Sequence, residues 1–344
     1  MRVRLKPLDQ QVVVITGASS GIGLATAREA ARRGARVVLV SRDEEALAGA
    51  AAAIRRDGGR AEYAAADVAS FDEVAAAAER AADAYGGIDT WVNNAGVSIY
   101  GGLGDVPLAD ARRLFETNYW GTVHGSLVAV PHLKRRGGGA LINVGSVLSD
   151  TAMPLQGHYT ASKHAVKGFT DALRIELAHA GAPVSVTLIK PAAVDTPYPE
   201  RAGNHLGVEP THQPPVYAPA VVARAILAAA ERPVRDLTVG GGAKLYTALE
   251  ALAPGAADRL KEATAFDGQR TSRPAKDDAT LYAPRPGSGG RERGGYAGHV
   301  MQSSAFTTAA LNPVAAVVGA AALGVGVALA ARPALGGRGG RGRA

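Results

Sequence analysis

The chain has 344 residues, no cysteine and a formal charge of +7, all of which falls in residues 268–344, where ten Arg/Lys face three Asp/Glu. The absence of cysteine excludes disulfides, thiolate metal sites and a thiol nucleophile, and fits a reducing compartment. A charge-balanced main portion in a chain with 5% aromatic residues argues against a nucleic-acid surface, and residues 1–10 lack the apolar run of a signal peptide, so the main domain is expected in the cytoplasm.

In chain order, short β-branched runs alternate with longer Ala-rich stretches up to about residue 240. Strands are predicted over 12–16, 36–41, 61–66, 88–93, 140–145, 184–190 and 236–239. Helices are predicted over 22–33, 44–57, 71–85, 108–136 (as two in sequence), 159–180 and 219–231. Near-continuous apolar strands separated by helices imply parallel pairing with crossovers on both faces, a doubly wound α/β sheet.

The first strand runs into Thr16-Gly17-Ala18-Ser19-Ser20-Gly21-Ile22-Gly23, which opens the first helix, as a dinucleotide-binding turn requires. Glycines let the backbone turn sharply and approach a diphosphate, whose charge the free N–H groups at a helix start favour. Tight strand-to-helix turns also use glycine for structural reasons alone, so the context carries the reading. The second strand ends at Ser41-Arg42, where an NAD site usually carries an acidic residue for the ribose hydroxyls. Arg42 can instead pair with the extra phosphate of NADP, so NADP(H) is preferred, with NAD(H) as the alternative. Asp43 offsets part of that charge, and a solvated Arg42 at a helix start is the plain reading. Asp67-Val68 closes the third strand, where the carboxylate either accepts from an adenine amino group or caps the next helix. Asn93-Asn94-Ala95-Gly96 closes the fourth, its asparagines expected to tie neighbouring strand ends together.

Tyr159 and Lys163 stand four apart in a predicted helix, so a phenol and an ammonium project from one face into the same space. Ser146 and Asn118 precede them. A free tyrosine titrates at about 10, and neighbouring cations favour the phenolate, so Lys163 together with the positive charge of an oxidised nicotinamide is expected to lower the Tyr159 value. Taken singly, the four also read as an interface tyrosine, a solvated lysine, a strand-end cap and a helix cap.

Residues 192–216, rich in proline and directly after the sixth strand, read as a mobile lid, or else as a surface insertion. The expected pocket border is Val97, Ile99, Tyr100, Val147, Leu148, Met153, His158 and Tyr198, which suits a lipophilic ketone, aldehyde or alcohol. A last helix over 244–265 closes a domain of residues 1–265, and 266–312 then reads as a disordered Gly/Pro/Arg-rich linker. Residues 314–331 carry no charge and, if helical, span about 27 Å, within a candidate membrane or interaction helix over 313–332. The basic tail 333–344 opposes a spanning orientation with the main domain inside; a helix lying on anionic lipid or packing in solution also fits.

The glycine motif, Asp67-Val68, Asn93 to Gly96, Asn118 with Gly121, Ser146 and Tyr159-Thr160-Ala161-Ser162-Lys163 occur in order across about residues 10–242. Together they resemble the short-chain dehydrogenase/reductase family. That resemblance implies a Rossmann-type sheet of seven parallel strands in the order 3-2-1-4-5-6-7. It implies Tyr159 as catalytic acid/base, Lys163 as its activator and a ligand of the nicotinamide ribose, Ser146 as partner of the substrate oxygen, and Asn118 as holder of a water in a proton relay. Cofactor contacts fall on Gly17, Ser19, Ser20, Gly21, Ile22, Gly23, Ser41, Arg42, Asp67, Val68, Asn94, Ala95 and Gly96, and on Pro191 and Thr196 after the sixth strand. Ala192 stands where the family usually has glycine, so a left-handed backbone there would be strained. Members commonly form homodimers or homotetramers through two long helices, here 108–136 and 159–180. The expected reaction is NADP(H)-dependent interconversion of a carbonyl and an alcohol; the alternative is a non-catalytic NADP(H)-binding sensor or scaffold on the same fold.

Overall fold

Apolar strand residues build the centre of the molecule. In the computed structural model, which describes residues 3–312 apart from 277, 278, 286 and 288, seven strands form one parallel sheet. They are β1 (Val12–Thr16), β2 (Arg36–Ser41), β3 (Arg60–Ala65), β4 (Thr90–Asn93), β5 (Gly139–Val144), β6 (Val184–Pro191) and β7 (Asp236–Val239). Their order is 3-2-1-4-5-6-7, as the resemblance implies.

The helices that flank them are α1 (Gly21–Arg32), α2 (Glu44–Arg56), α3 (Phe71–Tyr85), α4 (Leu108–Phe115), α5 (Gly121–Arg135), α6 (Gly157–His179) and α7 (Pro219–Glu231). Successive strand residues face opposite sides. Val13, Ile15, Val37 and Leu39 therefore pack with α1, α2 and α7, while Val14, Val38, Trp91 and Leu141 pack with α3, α5 and α6. Each fully buried Val, Ile or Leu contributes about 1.5–3 kcal/mol relative to exposure. Local chemistry sets the helix starts: Asp43 accepts from the Ala46 N–H at 3.0 Å ahead of α2, and Ser70 from the Glu73 N–H at 3.4 Å ahead of α3. The stretch 108–136 does form two helices, joined by a π turn, Glu116–Trp120, that carries Asn118.

Where one helix is expected over 244–265, two form: α8 (Gly241–Leu252) and α9 (Pro254–Gly268). Pro254 cannot continue a helix but suits the first position of a new one. The proposed lid is held by strand pairing: Gly203–Asn204 pairs with Ile99–Tyr100, and Val216–Tyr217 with Ala193–Val194.

The composition of residues 266–312 suggests disorder, but the structure folds this segment across the carboxyl ends of β1 and β2. Arg270–Pro274 pairs antiparallel with Val208–Pro210, and Val300–Met301 pairs with Val216–Tyr217. Between these, Leu281 is buried in an apolar cluster with Ile99, Leu114 and Tyr159. The Gly290 N–H donates to the Ser19 carbonyl at 2.9 Å, and the Gly21 N–H to the Arg291 carbonyl at 2.9 Å. Arg291 and Arg293 reach Glu200 and Asp195, each at 2.7 Å, and Glu292 meets Arg28 at 2.6 Å. Residues 270–301 thus form a strap, followed by α10 (Ala305–Leu311). Among the described residues no helix is long and apolar enough to cross a membrane; the candidate stretch 314–331 lies outside them.

Candidate functional site: two adjoining cavities at the sheet's carboxyl edge

The turn after β1 owes its shape to two glycines. Gly17 has φ +66°, and a Cβ on Gly23 would lie 2.3 Å from the Gly17 carbonyl oxygen, so only glycine lets α1 start this close to the strand. Asn94 closes the turn from β4: its Nδ2 donates to the Thr16 carbonyl at 2.9 Å, and Thr16 Oγ1 accepts from the Asn94 and Ala95 N–H groups at 3.0 Å each. Asn93 bonds Asn143 Oδ1 at 2.9 Å and Ser126 Oγ at 3.1 Å. Both asparagines therefore tie strand ends together, as expected.

A cavity of about 210 Å³ opens over this turn. Gly17, Ser19, Ser20, Gly21 and Ile22 line it from β1 and α1, Ser41 and Arg42 from β2, Asp67 and Val68 from β3, and Asn94, Ala95 and Gly96 from β4. Gly23 packs behind the turn and does not line it. Arg42 is already engaged: Nη2 donates to the Thr280 carbonyl at 2.7 Å, and Nη1 to those of Tyr282 and Leu281 at 2.9 and 3.2 Å. Burial lowers its pKa, Asp67 and Arg113 acting in opposite directions. The Asp67 carboxylate pairs with Arg113 at 2.5 Å and accepts from the Ala69 N–H at 3.0 Å, while Ser70 does the capping of α3.

A second cavity, about 250 Å³, adjoins the first; Ile22, Asn94, Gly96, Thr196 and Tyr198 line both. Tyr159, Lys163, Ser146 and Pro191 line the second. Tyr159 and Lys163 share the buried face of α6, and Lys163 Nζ lies 5.7 Å from the Tyr159 ring centroid while donating to the Val144 carbonyl at 3.0 Å. Burial pushes the Lys163 ammonium down to about 8. It also raises the Tyr159 phenol, opposed only in part by the hydroxyls of Tyr198 and Ser146. The expected lowering joins the Lys163 ammonium to the charge of an oxidised nicotinamide and so concerns the cofactor-bound site; in the protein alone, burial sets the direction. Ser146 caps a short turn, its Oγ accepting from the Leu148 N–H at 3.1 Å.

Asn118 is fully buried and its side chain is spent on its neighbours. Nδ2 donates to the Val97 carbonyl at 2.9 Å and to Ser162 Oγ at 3.0 Å, and Oδ1 accepts from the Val97 N–H at 2.8 Å. Ala192 adopts no left-handed backbone, Leu155 being the one non-glycine with positive φ among the described residues, so the expected strain does not arise. Of the anticipated pocket border, Tyr100, Val147, Leu148, Met153 and Tyr198 line the second cavity. Val97 lines the first, Ile99 packs against Tyr159, and His158 lines neither. The lid over 192–216, also expected at the border, supplies Gln213 to the second cavity and Arg201 to the first, whereas sequence reading missed Thr151, Gln156, Tyr246 and Gln269 in the second and Thr280 and Pro284 in the first. Several come from the strap or from α8 and α9, which carry no motif.

A doubly wound parallel sheet with a glycine-turn cavity opening onto a buried Tyr/Lys pair defines a dinucleotide-binding oxidoreductase architecture. The family model for short chain dehydrogenase matches residues 11–206. The uncharacterized oxidoreductase YxnA of Bacillus subtilis is 45% identical over 323 residues, 92% of this chain and 90% of that protein. A short chain dehydrogenase/reductase from Burkholderia phymatum in complex with NAD superposes with a TM-score of 0.65 at 26% identity, covering 79% of this chain and 99% of that one. An alcohol dehydrogenase from Thermococcus sibiricus complexed with 5-hydroxy-NADP gives a TM-score of 0.59 at 26% identity, over 66% and 95%. This chain belongs to the short-chain dehydrogenase family and is an oxidoreductase acting on CH–OH donors.

Proposed function

We propose that the chain interconverts a carbonyl and an alcohol on a lipophilic small molecule, using NADP(H) in preference to NAD(H), with Tyr159 as acid/base. One observation carries the reading: Tyr159, Lys163 and Ser146 line a cavity that adjoins the glycine-turn cavity and shares five lining residues with it. Bound NADPH supplies a hydride to the carbonyl carbon. The chain's own residues handle the oxygen. Burial keeps the Tyr159 phenol protonated, which suits donation to the developing alkoxide during reduction. Ser146 Oγ already accepts from Leu148, which leaves its O–H to donate to the substrate oxygen. Lys163 spends one of its three N–H donors on Val144 and keeps two for a ribose hydroxyl and the phenol. Asn118 braces the loop after β4 through Val97 and supports α6 through Ser162.

The glycine turn, the helix start and the polar groups around them fit a dinucleotide. Preference for the 2′-phosphate rests on Arg42 at the end of β2, whose guanidinium the strap anchors through the carbonyls of Thr280, Leu281 and Tyr282. A lipophilic substrate is supported by Tyr100, Val147, Leu148, Met153 and Tyr198, and by His212, which burial holds neutral by pushing it down to about 4. Homo-oligomers through α5 and α6 are supported by Trp120, Leu127 and Ile175, exposed by 44%, 51% and 65%. Membrane association is proposed from the sequence of residues 314–331 alone, and fractionating the full chain beside one ending at residue 312 tests it.

The defining experiment is a panel of lipophilic ketones, aldehydes and alcohols assayed by NADPH absorbance, with NADH in parallel. Turnover of at least one class with NADPH supports the reading. Cofactor binding without turnover across the panel would favour a non-catalytic sensor on this fold.

A further inference from the structure

Among the described residues, one cation of the first cavity, Arg201, forms no ion pair. Arg201 ends the single helical turn Tyr198–Arg201 that follows β6, and its side chain lies beside the start of α1. Nη1 donates to Ser20 Oγ at 2.6 Å, whereas Nε and Nη2 are fully buried and have no hydrogen-bond partner. The strap covers it, since the Thr280 N–H donates to the Arg201 carbonyl at 3.0 Å. The two carboxylates in its field are committed elsewhere. Glu200 holds Arg291 at 2.7 Å and the Gly295 N–H at 3.1 Å, and Asp43 caps α2. Burial disfavours the guanidinium and Arg291 adds like charge, so its pKa is lowered.

A buried guanidinium with idle donors is costly unless a ligand completes it. What the place lacks is an anion with several acceptor oxygens. The neighbouring Ser19, Ser20 and Gly21 belong to the turn that begins the twelve-residue α1, whose N-terminal end carries partial positive charge. We propose that Arg201 binds the diphosphate bridge of the dinucleotide, closing the glycine turn from the opposite wall so that the lid and the cofactor engage together. This inference rests on the nucleotide reading above and adds to it a ligand from outside the glycine motif. A fork of N–H donors matches two phosphate oxygens at once, and Ser20 Oγ sets its plane.

The test measures binding to the full-length protein by calorimetric titration, with ADP-ribose, 2′-AMP, NADPH and NADH as probes. Arg201→Gln is expected to weaken ADP-ribose, NADPH and NADH alike by about 10- to 100-fold, and 2′-AMP by less than about twofold. Arg201→Lys should recover part of the loss, because it keeps the charge but not the fork. Without ligand, Arg201→Gln should unfold at the same or a higher temperature than the wild type, which separates lost binding from lost folding. Wild-type binding with an unchanged variant would overturn the inference alone. A loss confined to NADPH and 2′-AMP would also overturn it, placing Arg201 on the 2′-phosphate. A wild type that binds none of the four would overturn the nucleotide reading and this inference together.

Discussion

Replacing Lys163 with methionine should stabilise the cofactor-free protein while removing its activity. Lys163 is 4% exposed, and burial pushes its ammonium from an ordinary 10.5 down to about 8. That difference corresponds to roughly 3 kcal/mol of cost for carrying the charge in the folded state. Because the folded value lies below the unfolded one, the cost is present in full below pH 8 and fades as the pH rises from 8 to 10.5. Against it, Lys163→Met gives up the Nζ bond to the Val144 carbonyl, worth about 1 kcal/mol. A net gain of roughly 2 kcal/mol at pH 7 remains, which raises Tm by about 4–8 °C in a domain of this size. Calorimetry without cofactor at pH 7 and pH 10 reads both parts: a clear gain at the first, and almost none at the second. A variant that melts below the wild type at pH 7, or whose advantage does not shrink by pH 10, refutes the reasoning.

Three other substitutions probe the site and its surroundings. Gly23→Ala puts a methyl where the Gly17 carbonyl and Asn94 Nδ2 already stand, at 2.3 and 2.7 Å. Denaturant titration should show a loss of about 1–3 kcal/mol, with NADPH affinity reduced at least about tenfold. Arg42→Ala releases the carbonyls of Thr280, Leu281 and Tyr282, so limited proteolysis should cut faster near residues 280–285, and NADPH should weaken more than NADH; equal weakening would remove Arg42 from the 2′-phosphate site. Leu127→Arg places a charge among the exposed apolar residues of α5 and should shift the mass measured by light scattering toward the monomer, whereas an unchanged mass takes this helix out of the interface.

Much of the fold was legible because its central strands are buried on both faces, so residues 12–15 and 37–40 read as unbroken apolar runs. The glycine turn and the spacing of Tyr159 and Lys163 were legible for a related reason: local geometry alone places those groups together. What stayed hidden depends on partners far away in sequence. The strap looks disordered by composition, yet Arg293 finds Asp195 and Leu281 finds a pocket beside Tyr159, contacts that no local window contains. The burial of Tyr159 was hidden likewise, since the sequence displays the neighbouring lysine but not the loss of solvent that raises the phenol. Arg201 looked like one more lid residue, because its missing counter-charge is visible only once Glu200 and Asp43 are seen to be engaged elsewhere.

The central claim is that Tyr159 gives its proton to an oxygen whose carbon receives hydride in the same cavity. Its most direct test is deuterium transfer from [4-²H]NADPH to a lipophilic ketone, followed by mass spectrometry for the wild type and for Tyr159→Phe. The wild type should place deuterium on the carbinol carbon, and Tyr159→Phe should bind NADPH within about threefold of it while transferring at least about 100-fold more slowly. Transfer by Tyr159→Phe at the wild-type rate would contradict the account.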